Sequence, residues 1–174
     1  MELKKEVRDY IKELVSDYYN EHQLQLHSVC EKLGLNYIEA DFNDPKISGM
    51  IFAKNGVHTI YINHKHSTTR KRFTTAHEVG HYISALCGSY SKDQLSQDGF
   101  KDYSISFRAD NIQSNAETEA NEIAAEMLMP EKVVKEFIEY GLSIEQMADK
   151  FFVSPVAMTI RVERVLYKSG IYLL

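Results

Sequence analysis

Leu3, Val7, Tyr10, Ile11, Leu14 and Tyr18 recur at three- and four-residue steps along the start of the chain. That is the period of a helix with one buried face, and it predicts a packing helix there. A shorter helix is predicted over residues 23–33, closed by Gly34, where a residue without Cβ takes the left-handed cap conformation. The pattern then changes. YIEADF, ISGMIF and VHTIYI are short and rich in β-formers, and Lys54-Asn55-Gly56 between the last two carries the Asn-Gly pair favoured in tight hairpins. A small antiparallel sheet of about three strands is predicted.

Helical spacing returns from Ser67 or Thr69 to Leu86. Phe73, Ala76, Gly80, Ile83 and Cys87 mark the buried face, and His77 and His81 occupy an adjoining stripe at the wall of the core. Residues 88–113 are polar and punctuated, with a short strand expected at YSISF; a connection that long often has a functional role and here would rim a cleft. Ser114 and Glu117 form an S-x-x-E capping box opening a helix that runs to Met129, before Pro130. A helix over residues 131–140 ends at Gly141. Two more cover residues 143–151 and 155–168, the second with Ser154 as N-cap and Pro155 at the first helical position. No linker rich in Gly, Pro or Ser divides the chain. Residues 1–174 therefore read as one α+β domain, with 1–130 as the core with its N-terminal helices and 131–174 as a helical C-terminal subregion.

Hydrophobic residues at 44% and charged residues at 26%, without low-complexity runs or repeats, exclude disorder and solenoid architectures. The N-terminus carries acidic residues throughout and has no apolar signal core, and no apolar run reaches membrane-spanning length. A soluble, cytoplasmic protein without a membrane partner is expected. Cys30 and Cys87 offer no C-x-x-C and no framework spacing, which disfavours a disulfide scaffold or a thiolate metal site; both are expected as small core hydrophobes. A net charge of −5 does not suit a nucleic-acid binder.

TTAHEVGH, residues 74–81, holds the chemistry. Its H-E-x-x-H places His77 and His81 one turn apart on one helix face, with Cβ atoms about 5–6 Å apart, so both imidazoles can converge on one ion. Zinc takes such neutral nitrogens, and a catalytic site keeps three protein ligands and one open position. Glu78 is placed to act as general base beside the ion. Gly80 costs the helix about 1 kcal/mol relative to alanine, which suggests close approach of another element. The competing view is that these are ordinary polar residues on a helix edge. The third ligand should come from another helix, where Glu117 and Glu119 both qualify. Glu117 already has a use in the capping box, and Glu119 lies on the edge of the stripe formed by Ala116, Ile123 and Met127; the helical wheel does not decide between them. Glu122 and Glu126 read as solvated helix charges.

FTTAHEVGHYI, followed by EAN and IAAEMLMP, with ISGMI and VHTIYIN upstream and VSPVAMTIRVERV at the tail, resembles the ImmA/IrrE family of zinc metallo-endopeptidases. The likeness runs in order from about residue 30 to the C-terminus. It implies a zincin-like metalloprotease fold, with the sheet packed on the H-E-x-x-H helix and a helix-turn-helix-like tail. It further implies Zn2+ held by His77, His81 and Glu119, with Glu78 as catalytic acid/base. The substrate implied is a cognate helix-turn-helix repressor, whose cleavage would derepress mobile-element, phage or stress-response genes. A thermolysin-type aspartate four residues past Glu119 is absent, since that position is Ile123, so the histidines must be oriented from elsewhere. His64, His66, Tyr82 and Tyr103 are candidate oxyanion donors. An extended substrate could add beside the sheet edge. In the tail, Lys150, Arg161, Arg164 and Lys168 face Glu145, Asp149 and Glu163, so direct DNA binding through the C-terminal helices is the lesser expectation. The rival function is a non-proteolytic zinc-containing regulator that binds a partner protein or DNA; Glu78 argues against it, since a structural metal site has no use for a base.

Overall fold

The computed structural model describes residues 2–88, 100–103 and 111–170. In chain order the elements are α1 (Lys5–Val15), β1 (Tyr19–Asn20), β2 (Gln23–Leu24), α2 (Leu26–Lys32), β3 (Asn36–Ala40), β4 (Ile47–Lys54), β5 (Val57–Asn63) and α3 (Thr68–Leu86). They continue with β6 (Phe100–Tyr103), α4 (Asn111–Leu128), α5 (Glu131–Glu139), α6 (Ile144–Phe151) and α7 (Pro155–Lys168).

The main sheet has the order β3-β5-β4-β6. Its centre is the expected hairpin: Asn55 and Gly56 both take positive φ, 53° and 78°, as a two-residue type I′ turn requires, and Lys54 pairs with Val57. β6 adds antiparallel to β4, with Phe100 opposite Ile51. The sheet is mixed rather than purely antiparallel, because β3 pairs parallel to β5, Tyr37 opposite Ile60. The chain leaves β3, enters β4 on the far side of β5, and the hairpin then returns β5 between the two in the direction of β3. Ile51, Ile60 and Ile62 point from this sheet into the core that they share with Ala76, Val79 and Ile83 of α3. The α+β class with a sheet packed on the H-E-x-x-H helix is therefore the observed architecture.

Local corrections have identifiable causes. Residues 19–24 form a hairpin, with Glu21 at φ 54°, and α2 begins only at Leu26, so the predicted helix over 23–33 is shortened at its start. The Tyr19 hydroxyl fastens this hairpin to α4 by donating to the Met127 carbonyl at 2.6 Å. α4 begins at Asn111, which leaves Ser114 inside the helix and removes the basis for a capping box with Glu117. Cys30 is buried as expected, whereas Cys87 is exposed at the C-cap of α3. Most of YSISF and of the polar connection falls on residues 89–99 and 104–110, outside the described residues.

The C-terminal helices follow their punctuation closely. Ser143 and Gln146 form a reciprocal capping box on α6, Phe152 turns the chain with a left-handed conformation, and Ser154 with Pro155 opens α7. α7 then docks on α4. Arg161, 2% exposed, donates from Nε to the Met129 carbonyl at 2.9 Å and forms an ion pair with Glu126, while Arg164 pairs with Glu122. Glu122 and Glu126 are thus inter-helix partners, not solvated charges, because antiparallel helices bring two arginines opposite them. Arg72 of α3 makes a second tie, donating to the carbonyls of Leu24 and Phe152 at 3.2 Å each while lying over the Phe152 ring. Among the described residues no helix is long and apolar enough to cross a membrane.

Candidate metal centre

α3 and α4 cross in backbone contact. A Cβ built on Gly80 would meet the Ala120 carbonyl oxygen at 2.7 Å and its Cα at 3.0 Å, so only glycine lets the helices approach this closely. The close approach inferred from Gly80 is real, and Ala120 is what approaches. On either side of this point the two helices present polar side chains to each other.

His77 and His81 face α4 and are 2% and 1% exposed. Their Nε2 atoms lie 3.0 Å apart. Glu117 spans both, with Oε2 3.2 Å from His77 Nε2 and Oε1 3.2 Å from His81 Nε2. These three form a group whose ligating atoms all lie within 4.8 Å of one another. Two donors about 2.0–2.1 Å from one tetrahedral ion sit about 3.3 Å from each other, so the spacing fits a shared metal. Glu119, the third ligand implied by the resemblance, does not join the group. It lies two positions further along α4, about 200° around the helix axis from Glu117. The carboxylate grouped with the two histidines is that of Glu117, which the helix start at Asn111 releases from its supposed capping role.

Asn121, one turn from Glu117, was missed as a site residue although it stands in the EAN triplet. Its Oδ1 lies 3.0 Å from His77 Nδ1. An amide oxygen only accepts, so this contact is a hydrogen bond when His77 carries a proton on Nδ1. Counted from Glu117, the position four residues on is Asn121, an amide where thermolysin has an aspartate. An acid and an amide at i and i+4 were the available signal.

The electrostatics suit a metal. Burial, with His77 adding to it, pushes the His81 imidazole down to about 4 against the opposing pull of Glu117. Burial pushes the Glu117 carboxyl up, but the two imidazoles beside it outweigh that and hold it well below the usual carboxylate range. His81 is therefore neutral and Glu117 anionic at pH 7, the protonation states that metal ligation requires. Glu78, adjacent to His77, is completely buried. The other expected donors are not part of this group: the Tyr82 ring packs edge-on against His58, His64 is exposed with Nδ1 3.2 Å from the Ala40 carbonyl, and His66 follows β5 in the loop before α3. The Tyr103 side chain is outside what the structure describes.

The family model of the IrrE N-terminal-like domain, a peptidase family, matches residues 30–163. No curated protein matches the sequence. Among solved structures the chain is similar to a Mycobacterium tuberculosis transcriptional regulator, with 14% identity and a TM-score of 0.58, over 92% of this chain and 47% of that one. At that identity the likeness speaks to fold, and the chain spans about half the length of that structure. With the family model matching most of its length, from residue 30 to 163, the chain belongs to the ImmA/IrrE family of IrrE N-terminal-like peptidase domains.

Proposed function

We propose that the protein is a zinc-dependent endopeptidase that cleaves a cognate helix-turn-helix repressor in the cytoplasm and so derepresses the genes it controls. The observation that carries this reading is the convergence of His77, His81 and Glu117 within one buried group, beside a buried Glu78. Two imidazoles and one carboxylate are the donor set of a catalytic zinc site with a position left for the reaction. Zinc bound there supplies Lewis acidity toward the scissile carbonyl and toward water.

The chain's own residues do the rest. His77 and His81 offer neutral nitrogen, and Glu117 contributes the one anionic ligand. Glu78 takes the proton of the attacking water and returns it to the leaving amine, so that one carboxylate serves both halves of the reaction. One further point supports a protein rather than a DNA partner. Arg161, Arg164 and Lys168 of α7 are paired with Glu126, Glu122 and Glu131. The name of the similar solved structure, a transcriptional regulator, agrees with a place in gene control.

The test incubates zinc-loaded protein with the repressor encoded beside it, wild type against Glu78→Gln. Wild type should cut the repressor, and the variant should cut about 10²–10⁴-fold more slowly with unchanged zinc content. Repressor left intact by zinc-loaded wild type would favour the rival reading, a non-proteolytic zinc-containing regulator.

A further inference from the structure

We propose that Asn121 is a positioning residue of the metal centre: its side-chain carbonyl fixes the His77 proton on Nδ1 and thereby commits Nε2 to the metal. The inference rests on the metal-binding reading above and adds a residue that the ligand set does not contain.

A neutral imidazole carries one proton and can place it on either nitrogen. If it sits on Nε2, His77 points a donor at the group and must exchange tautomers before ligating. The 3.0 Å contact from Nδ1 to Asn121 Oδ1 favours the Nδ1–H form, because an amide oxygen accepts only from a protonated nitrogen. It also fixes the ring plane of a side chain that is 2% exposed. In that form His77 Nε2 turns its lone pair toward the group, 3.2 Å from Glu117 Oε2 and 3.0 Å from His81 Nε2.

Position and chemical type both follow from the fold. Asn121 and Glu117 are one turn apart on α4, so a single helix face supplies ligand and orienter. The Gly80–Ala120 contact brings that face near enough for a side chain as short as asparagine to reach the imidazole. A carboxylate could accept the same proton, but the group already holds the Glu117 carboxylate. An amide orients His77 without adding a second negative charge.

The experiment uses the full chain, stripped of metal by a chelator, as wild type, Asn121→Ala and Asn121→Asp. Zinc affinity is read by competition with a chromophoric chelator at pH 7, and the His77 tautomer by 15N chemical shifts of the metal-free protein. Asn121→Ala is expected to weaken zinc binding by about 10–100-fold and to let His77 populate both tautomers. Asn121→Asp, which keeps the acceptor, is expected to retain the Nδ1–H tautomer and zinc binding at least as tight as wild type. A folded Asn121→Ala protein with unchanged zinc affinity would overturn the proposal. So would wild-type His77 carrying its proton on Nε2, a result obtained even if the alanine variant does not fold. Wild type that binds no zinc at all would instead sink the metal reading itself.

Discussion

One face of α4 turns Glu117 and Asn121 toward two histidines, while another turns Glu122 and Glu126 toward two arginines. Both faces bring carboxylates against nitrogen bases at helix–helix contacts. Their chemistry differs because arginine is a permanent cation and buried imidazole is not. Opposite Arg161 and Arg164 the carboxylates are already neutralised, so that side functions as a clasp. Glu117 meets two imidazoles, of which burial keeps His81 from charging, and its negative charge is left to be matched by an ion from solution. A cluster becomes a site when its own side chains do not complete the charge balance.

That contrast can be broken from either side. The largest stability loss is expected on the clasp. Arg161→Met should lower unfolding free energy by about 3 kcal/mol, since it removes a buried partner of Glu126 and of the Met129 carbonyl, and denaturant titration reads it directly. Zinc affinity should change little by comparison. On the other face Glu117→Gln should weaken zinc binding by more than about 100-fold, beyond the cost of losing an outer-shell partner, with Glu119→Gln close to wild type. Equal losses in the two variants, measured by chelator competition, would return the third ligand to open question. Gly80→Ala, set between the two functions, should cost about 1–3 kcal/mol through overpacking against the Ala120 backbone and should loosen zinc as well. The smallest effect concerns pH. Between about 6.5 and about 4 the unfolded chain protonates His81 while the folded chain refuses the proton, so metal-free stability falls as pH drops through that window and is insensitive to this group above it. Melting temperatures across pH 4–7 should show that slope in wild type and a shallower one in His81→Gln.

Local punctuation explains what could be read in advance. Asn55-Gly56, Ser67, Ser143 and Ser154-Pro155 each act through a backbone preference confined to a few residues, and each sits where it was expected. His77, His81 and Gly80 were recognisable because a helix sets their mutual placement without reference to anything distant. The choice between Glu117 and Glu119 depended instead on how α4 is rotated about its own axis, which packing decides. A capping-box pattern at Ser114 gave Glu117 a use that it does not have, because the helix begins three residues earlier than the pattern suggested. The parallel pairing of β3 was invisible for a similar reason: strand propensity says nothing about which neighbour a strand will find. Glu122 and Glu126 looked solvated because their arginine partners lie 35 or more residues away and reach them only after α7 has docked.

The meeting of Gly80 and Ala120 has a consequence for how the protein can change over evolutionary time. Backbone touches backbone there, so the distance between the two helices is not set by the size of any interposed side chain. Substitutions elsewhere in the core can tilt or bow the helices, and the resulting displacements grow with distance from that fixed point. His77, His81, Glu117 and Asn121 all lie within about one turn of it, where such errors are least. Much of the surrounding interior can therefore drift in sequence while the geometry of the four side chains is inherited intact.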